Sequence, residues 1–324
     1  MIKQISNPRL KDPIVIAAWP GMGEVAYRSA LFLREVMGFK MFAKLEAVDY
    51  FKPAAITVEK GVLDIPSLPA GFFYYAKGKN IPDIILFLGE AQPPLEHAEE
   101  LSAAIIDFVA KFKAKFLFTF AAKPEPIDHK VDPAVWIAAT HEDVIKTFSK
   151  FKVKVLNEGQ ISGLNGIVVG IAKQKGLKGA CLLGEIPFYT VQIENPRACA
   201  NILKVVNENL KLNLNLSPLE QRAKFIEEEI DKLISYLKGE PVKEEGPTPL
   251  SDEDIDKIKK DLAAYTKLPQ SAREKIEKLF KEAQEDISAA SKLKAELDRW
   301  NIYKEYEDRF LDLFRKKKKK EDTQ

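Results

Sequence analysis

Two cysteines and three histidines are all that the 324 residues supply, and the shortage excludes several chemistries. Cys181 and Cys199 lie in apolar surroundings and form no CxxC pair, so they are expected to be buried reduced thiols rather than a disulfide. His97, His129 and His141 make no HxH or HxxxH pair, and zinc would need ligands gathered from separate loops. No GxSxG elbow advertises a serine nucleophile. No apolar run reaches the length of a membrane-spanning helix, and the opening MIKQISNPRLKD lacks the apolar core of a signal peptide, so a cytoplasmic protein with no membrane partner is expected. An excess of one charge is missing too. Fifty Lys and Arg against 48 Asp and Glu leave a net charge of +2, which gives no electrostatic case for a nucleic-acid partner.

What is present is material for a core. Apolar residues make up 46% of the chain, enough that neither disulfides nor metals are needed to hold it. Abundant Lys and Glu with few cysteines suit a thermophile. The chain is organised around Ile14 to Val36, IVIAAWPGMGEVAYRSALFLREV. Ile14 to Trp19 is an unbroken apolar run suited to a strand covered on both faces; Pro20-Gly21-Met22-Gly23 breaks it, and from Val25 the apolar residues take a helical period. Two glycines at a helix start can expose backbone N–H groups to an anion. A P-loop, however, requires GxxxxGK[ST], whereas Gly23 here leads into Glu24 and Val25. A dinucleotide fingerprint is met only loosely through Ala26, with Glu46 left to find a ribose. A structural turn with a binding edge is the stronger reading.

Strands and helices then alternate. Phe42 to Asp49 reads as a strand. Ala55 to Glu59 and Gly71 to Lys77 read as the two arms of a hairpin-like insertion, with GVLDIPSLPAG as the turn. Alternation should bury one member of each pair in Phe72-Phe73-Tyr74-Tyr75 and present the other at an interface. Asp83 to Gly89 and Lys115 to Phe120 are strands around a helix over Glu96 to Phe112, and the prolines of Ala121 to Lys130 predict a loop at a strand's carboxyl end, where open α/β folds place ligands. Trp136 to Thr140 (strand), His141 to Ser149 (helix) and Val153 to Leu156 (strand) follow. Gly159, Gly163 and Gly166 open another helix, and the strand Gly179 to Leu183 ends in Gly184-Glu185. Asn195-Pro196-Arg197 starts a helix to Leu210, and Ser217-Pro218-Leu219-Glu220 caps one that runs to Leu237.

The boundaries expected are an α/β domain over 1–238, a linker over 239–250, a helical domain or hairpin over 251–316, and a basic disordered tail over 317–324. Capping boxes at Ser251 and Ser271 head helices over Ile255 to Thr266 and over Arg273 to about Arg315, the latter amphipathic enough for a coiled coil and with an interruption near Asn301.

Glu90, Glu185 and Glu194, together with Asp128 and His129, are the residues from which an acid–base pair could be drawn, for a phosphorylase-, hydrolase- or ligase-like enzyme acting on a nucleoside or small carboxylated metabolite in a cleft near Gly21. The competing reading has these carboxylates capping backbone N–H groups or forming ion pairs, and it is preferred. No catalytic, cofactor-binding or metal-binding residue is nominated, and no cofactor is expected.

The order of WPGMGEVA, LFLGEAQP, NEGQISGLNGIVVGIAKQKGLKGACLLGE and NPRACANILKVV resembles the PAC2 family of proteasome-assembly-chaperone-2-like proteins, in an archaeal form, over Pro13 to Leu237. The most specific stretch is Gly159 to Glu185, with Trp19 to Gly23 as a second element. The resemblance implies a three-layer α/β/α fold like that of nucleoside phosphorylases. It implies also a noncatalytic helper that self-associates or pairs with a related PAC2 protein and assists assembly of proteasome α subunits. Some members dock through a C-terminal hydrophobic-Tyr-any motif; this sequence ends Asp322-Thr323-Gln324, so a related partner would have to supply such a tail.

Overall fold

The computed structural model describes residues 2–46, 50–52, 56–78, 80–237, 270–300 and 302–321. The chain divides into two units. The first takes in residues 1–123, 129–186 and 190–246; the second takes in 124–128, 187–189 and 247–324.

The first unit is built on a nine-stranded mixed sheet. In chain order its strands are β1 (Ile2–Gln4), β2 (Ile14–Ala18), β3 (Lys40–Glu46), β6 (Ala70–Ala76), β7 (Ile84–Gly89), β8 (Phe116–Glu125), β9 (Val135–Ala139), β10 (Val153–Val155) and β11 (Gly179–Pro187). Across the sheet the order is β1-β3-β6-β7-β2-β8-β11-β9-β10, with β2 parallel to both β7 and β8. Five helices cover it: α1 (Val25–Val36), α2 (Ala98–Ala110), α3 (Glu142–Phe148), α4 (Leu164–Gln174) and α5 (Pro196–Leu210), and α6 (Ser217–Leu237) packs against α5.

Alternation along β2 explains the layering. Ile16 and Ala18 point into one apolar cluster with Ala30 and Leu33 of α1 and Ile202 and Val206 of α5, while Val15, Ala17 and Trp19 point into another with Ile105 and Val109 of α2 and Val168 and Ala172 of α4. Each large aliphatic side chain so buried contributes roughly 1.5–3 kcal/mol. The two thiols are divided between the layers, Cys199 in the first and Cys181 in the second. Burial pushes both up to about 12, so each stays a neutral thiol near pH 7.

Several expectations change. The insertion is a separate small hairpin, β4 (Thr57–Glu59) with β5 (Val62–Asp64), closed at Lys60-Gly61, whose positive φ angles of 51° and 82° give the two-residue turn that suits a hairpin's twist. The aromatic segment instead enters the main sheet as β6, between β3 and β7. Phe73 is fully buried there, and Phe72 and Tyr74 are half-covered under Lys44 and Arg34. β8 continues through Pro124 where a loop was expected. Its pairing to β2 ends at Thr119, so no N–H is required of Pro124 on that side.

The second unit contains α7 (Gln270–Glu285), α8 (Ala290–Arg299) and α9 (Tyr303–Glu321), not one long helix. Asp286 makes the first break: its side chain accepts a hydrogen bond from the Ser288 N–H and starts a short 3₁₀ turn, Ile287–Ala289. The second break follows Trp300. Because α9 continues to Glu321, residues 317–321 are helical where a disordered tail was expected, in keeping with the good helix propensity of lysine. The expected linker over 239–250 and the helix Ile255 to Thr266 lie outside the described residues.

Candidate functional site

The parallel strands β2 and β7 end side by side, and their connections leave on opposite faces of the sheet, to α1 and to α2. Such a point is where open α/β folds form a ligand crevice. Here it is filled from within. Trp19 is 1% exposed and its ring lies 5.1 Å from that of Phe87. Gly89 makes room for it, since a Cβ there would sit 2.2 Å from Trp19 Nε1.

Two side chains from outside the strands tie the turn down. Asn165, the second residue of α4, accepts a hydrogen bond from the Trp19 N–H at 3.0 Å and donates to the Trp19 carbonyl at 3.2 Å. Gln92 donates to the Pro20 carbonyl at 2.8 Å and accepts from the Leu164 N–H at 2.9 Å. Two of the donors that an anion would need are likewise occupied. The Gly23 N–H donates to Val191 O at 2.7 Å and the Glu24 N–H to Gly21 O at 2.9 Å. Gly23 is required in any case, with φ at 58° and a would-be Cβ 3.2 Å from Ile186. Glu24 follows it in the left-handed region at φ 49°, and its carboxylate is fastened to Arg28 at 2.6 Å. A phosphate cradle would have to break these bonds first.

The carboxylates singled out from the sequence do not converge. Glu90 accepts from the Ala70 N–H at 2.9 Å. Glu185 is buried, accepting from Trp136 Nε1 at 2.6 Å and the Ala134 N–H at 3.0 Å, with Lys154 at 3.5 Å. The strands that carry these two residues stand three positions apart in the sheet, about 14 Å at ordinary strand spacing. Glu194 binds Arg222 and lies 3.7 Å from Arg28. His129 is buried against Asp231 at 3.0 Å, and Lys130, ahead of His129, holds the Asp231 carboxyl below its usual value. Beside Glu194 a cavity of about 210 Å³ is lined by Arg28, Phe32, Asn195, Cys199 and Arg222. It is smaller than the usual range for small-molecule sites. Among the described residues no group of three or more His, Cys, Asp or Glu is placed to hold a metal ion, and no helix is long and apolar enough to cross a membrane.

The sequence reading missed Asn165 and Gln92, whose contacts to the turn span 146 and 72 residues. The only trace they leave is position: each immediately follows a break, Gly163-Leu164 or Glu90-Ala91. What the arrangement offers is a rigid, self-satisfied edge with Met22 exposed upon it.

The PAC2 family profile matches residues 15–234. The chain belongs to the PAC2 family. An uncharacterized protein of Methanocaldococcus jannaschii is 25% identical to it over 249 residues, 76% of this chain and 92% of the relative. Two solved Pyrococcus furiosus structures are similar. PbaB, described as an archaeal proteasome activator, shares 28% identity at a TM-score of 0.62, over 72% of this chain and 98% of PbaB. PbaA, described as an archaeal homolog of proteasome-assembly chaperone, shares 26% at 0.56, over 72% of this chain and 96% of PbaA. The PAC2 match spans the turn, both strands of the crevice, Gln92 and Asn165.

Proposed function

We propose that this PAC2 protein is a noncatalytic, chaperone-like factor of archaeal type that self-associates or pairs with a related PAC2 protein and assists assembly of proteasome α subunits. The observation behind it is the extent of likeness to PbaB and PbaA, nearly their whole length at 26–28% identity. A crevice filled by the chain's own Trp19, Asn165 and Gln92 suits a role in contact rather than chemistry. The mechanism is templating: an oligomer presents several complementary surfaces, raising the local concentration of client subunits and fixing their orientation. A sheet domain like that of nucleoside phosphorylases, a cytoplasmic site of action and coiled-coil contacts by the C-terminal helices belong to the same proposal.

Native mass spectrometry of the full chain, alone and with archaeal proteasome α subunits, tests it. Oligomers of the chain together with mixed complexes are expected. A monomer that leaves the α subunits unbound would overturn it.

A further inference from the structure

The β4–β5 hairpin is amphipathic, and its apolar side has no cover within the described structure. Register pairs Val58 with Leu63 on one face, while Thr57 pairs with Asp64 and Glu59 with Val62 on the other. Alternation adds Ile56, two residues before Val58, and Ile65, two residues after Leu63, to the first face. These four side chains are 60%, 64%, 67% and 70% exposed in chain order, and every residue of both strands is exposed. Together they present about 450 Å² of apolar surface, within the roughly 300–600 Å² of the largest patch on a typical monomer, a size that is often functional. A two-stranded hairpin standing alone is marginal in water, so an unpartnered apolar face on one is costly as well as conspicuous.

We propose that this face docks on the same face of a second copy of the chain. It carries no charge, so its complement must be flat and uncharged. Among the described residues Ile5, Met22, Val36, Met41, Leu95, Val131 and Phe225 are exposed singly on separate segments, Val62 stands alone on the hairpin's other face, and the pair Leu311 and Phe314 is interspersed with Arg309 and Asp312. Among the described residues the matching surface on offer is the hairpin face itself. Such a contact is isologous, with Thr57, Glu59 and Asp64 left facing water. Two faces bury about 900 Å², short of the roughly 1,200–2,000 Å² of stable interfaces, so the contact is weak and concentration-dependent by itself. The choice of occupant rests on the self-association in the proposed function; the amphipathic face does not.

Sedimentation velocity of the full chain across a concentration series tests it. The samples are wild type, Leu63→Glu, Leu63→Lys, an equimolar mixture of those two, and Val62→Lys on the opposite face, each checked for fold by circular dichroism, with Leu63→Ser as a milder substitution. Each charged Leu63 variant should weaken one association step at least tenfold, the mixture should recover it, and Val62→Lys should behave as wild type. Unchanged association in both charged variants would overturn the docking surface. Weakening without recovery in the mixture would overturn the second copy as occupant. α-Subunit binding measured in parallel separates the two proposals: if wild type binds no α subunits while the hairpin contact holds, only the function falls, and if the Leu63 variants lose α-subunit binding but keep their oligomer, only the docking proposal falls.

Discussion

In the sheet domain two broad apolar layers do the holding, and its ionic contacts lie outside them: Lys178 with Asp143 and Lys130 with Asp231 are exposed pairs, while Arg197 with Glu227 and Lys154 with the buried Glu185 are partly covered. Among the described residues of the helical unit a cluster of eleven buried side chains is laced with charge instead. Glu296 is buried and binds Lys275 at 2.9 Å and Trp300 Nε1 at 3.1 Å, and Arg309 grips Glu277 through two hydrogen bonds of 2.5 and 2.6 Å. A layered sheet can lose one contact among many, whereas a small helical cluster depends on each member and on the ionisation of its carboxylates.

The largest break in that contrast is Phe280→Ala. Phe280 is fully buried, stacked 5.8 Å from Tyr306 and lying under Arg309, and its removal should cost about 3–5 kcal/mol. Hydrogen exchange should rise across α7, α8 and α9 and stay unchanged in β2 and β7; a uniform rise would dissolve the distinction. Next comes Gly89→Ala, which drives a methyl into the Trp19 ring and should cost about 1–3 kcal/mol in the sheet domain, read as a shifted urea midpoint and altered near-ultraviolet Trp signal. An unshifted midpoint would mean that Trp19 has room to move.

Acid should act on the helical unit through Glu296. Burial pushes its carboxyl up, but the hydrogen bonds from Lys275 and Trp300 and the charges of Lys275 and Arg299 carry it below the ordinary value of 4.5. Its stabilisation is therefore complete above 4.5 and disappears as pH falls through and below that value, because the unfolded chain binds the proton more readily. Glu296→Gln should cost roughly 1 kcal/mol at pH 7, the modest end for a charged hydrogen bond with Lys275 53% exposed, and should flatten the acid response. An unchanged acid profile in the variant would assign that response elsewhere. The smallest effect expected is from Arg309→Ala: its partner Glu277 is 48% exposed, and a loss of about 0.2–1 kcal/mol should vanish in high salt. Salt-independent loss would point to packing over Phe280 rather than charge.

Local signals carried the central alternation well. Val25 to Val36 forms a helix with the bounds its periodicity predicts, and the strands around Ile14 and Ile84 fall within a residue of expectation. What failed depended on distant partners. β1 is three residues with no alternation to read, and it exists because β3 offers an edge; the aromatic β6 looked like a hairpin arm because its neighbours β3 and β7 could not be known from its own composition. The helical unit misled for the opposite reason: its apolar spacing continues through Ile287, while Asp286 stops the helix by accepting from the N–H and the hydroxyl of Ser288. At the crevice, the turn, its glycines and the flanking carboxylates were visible, but Asn165 and Gln92 were not, since nothing local marks a side chain whose hydrogen bonds close a gap in the fold.

The two thiols, one in each apolar layer, give the sheet domain a pair of internal clocks. Neither can react with an alkylating reagent until its own layer opens to solvent, so the modification rates of Cys181 and Cys199 under native conditions time the α2–α4 side and the α1–α5 side separately. Equal rates would describe a sheet that parts with both layers at once; unequal rates would say which side loosens first.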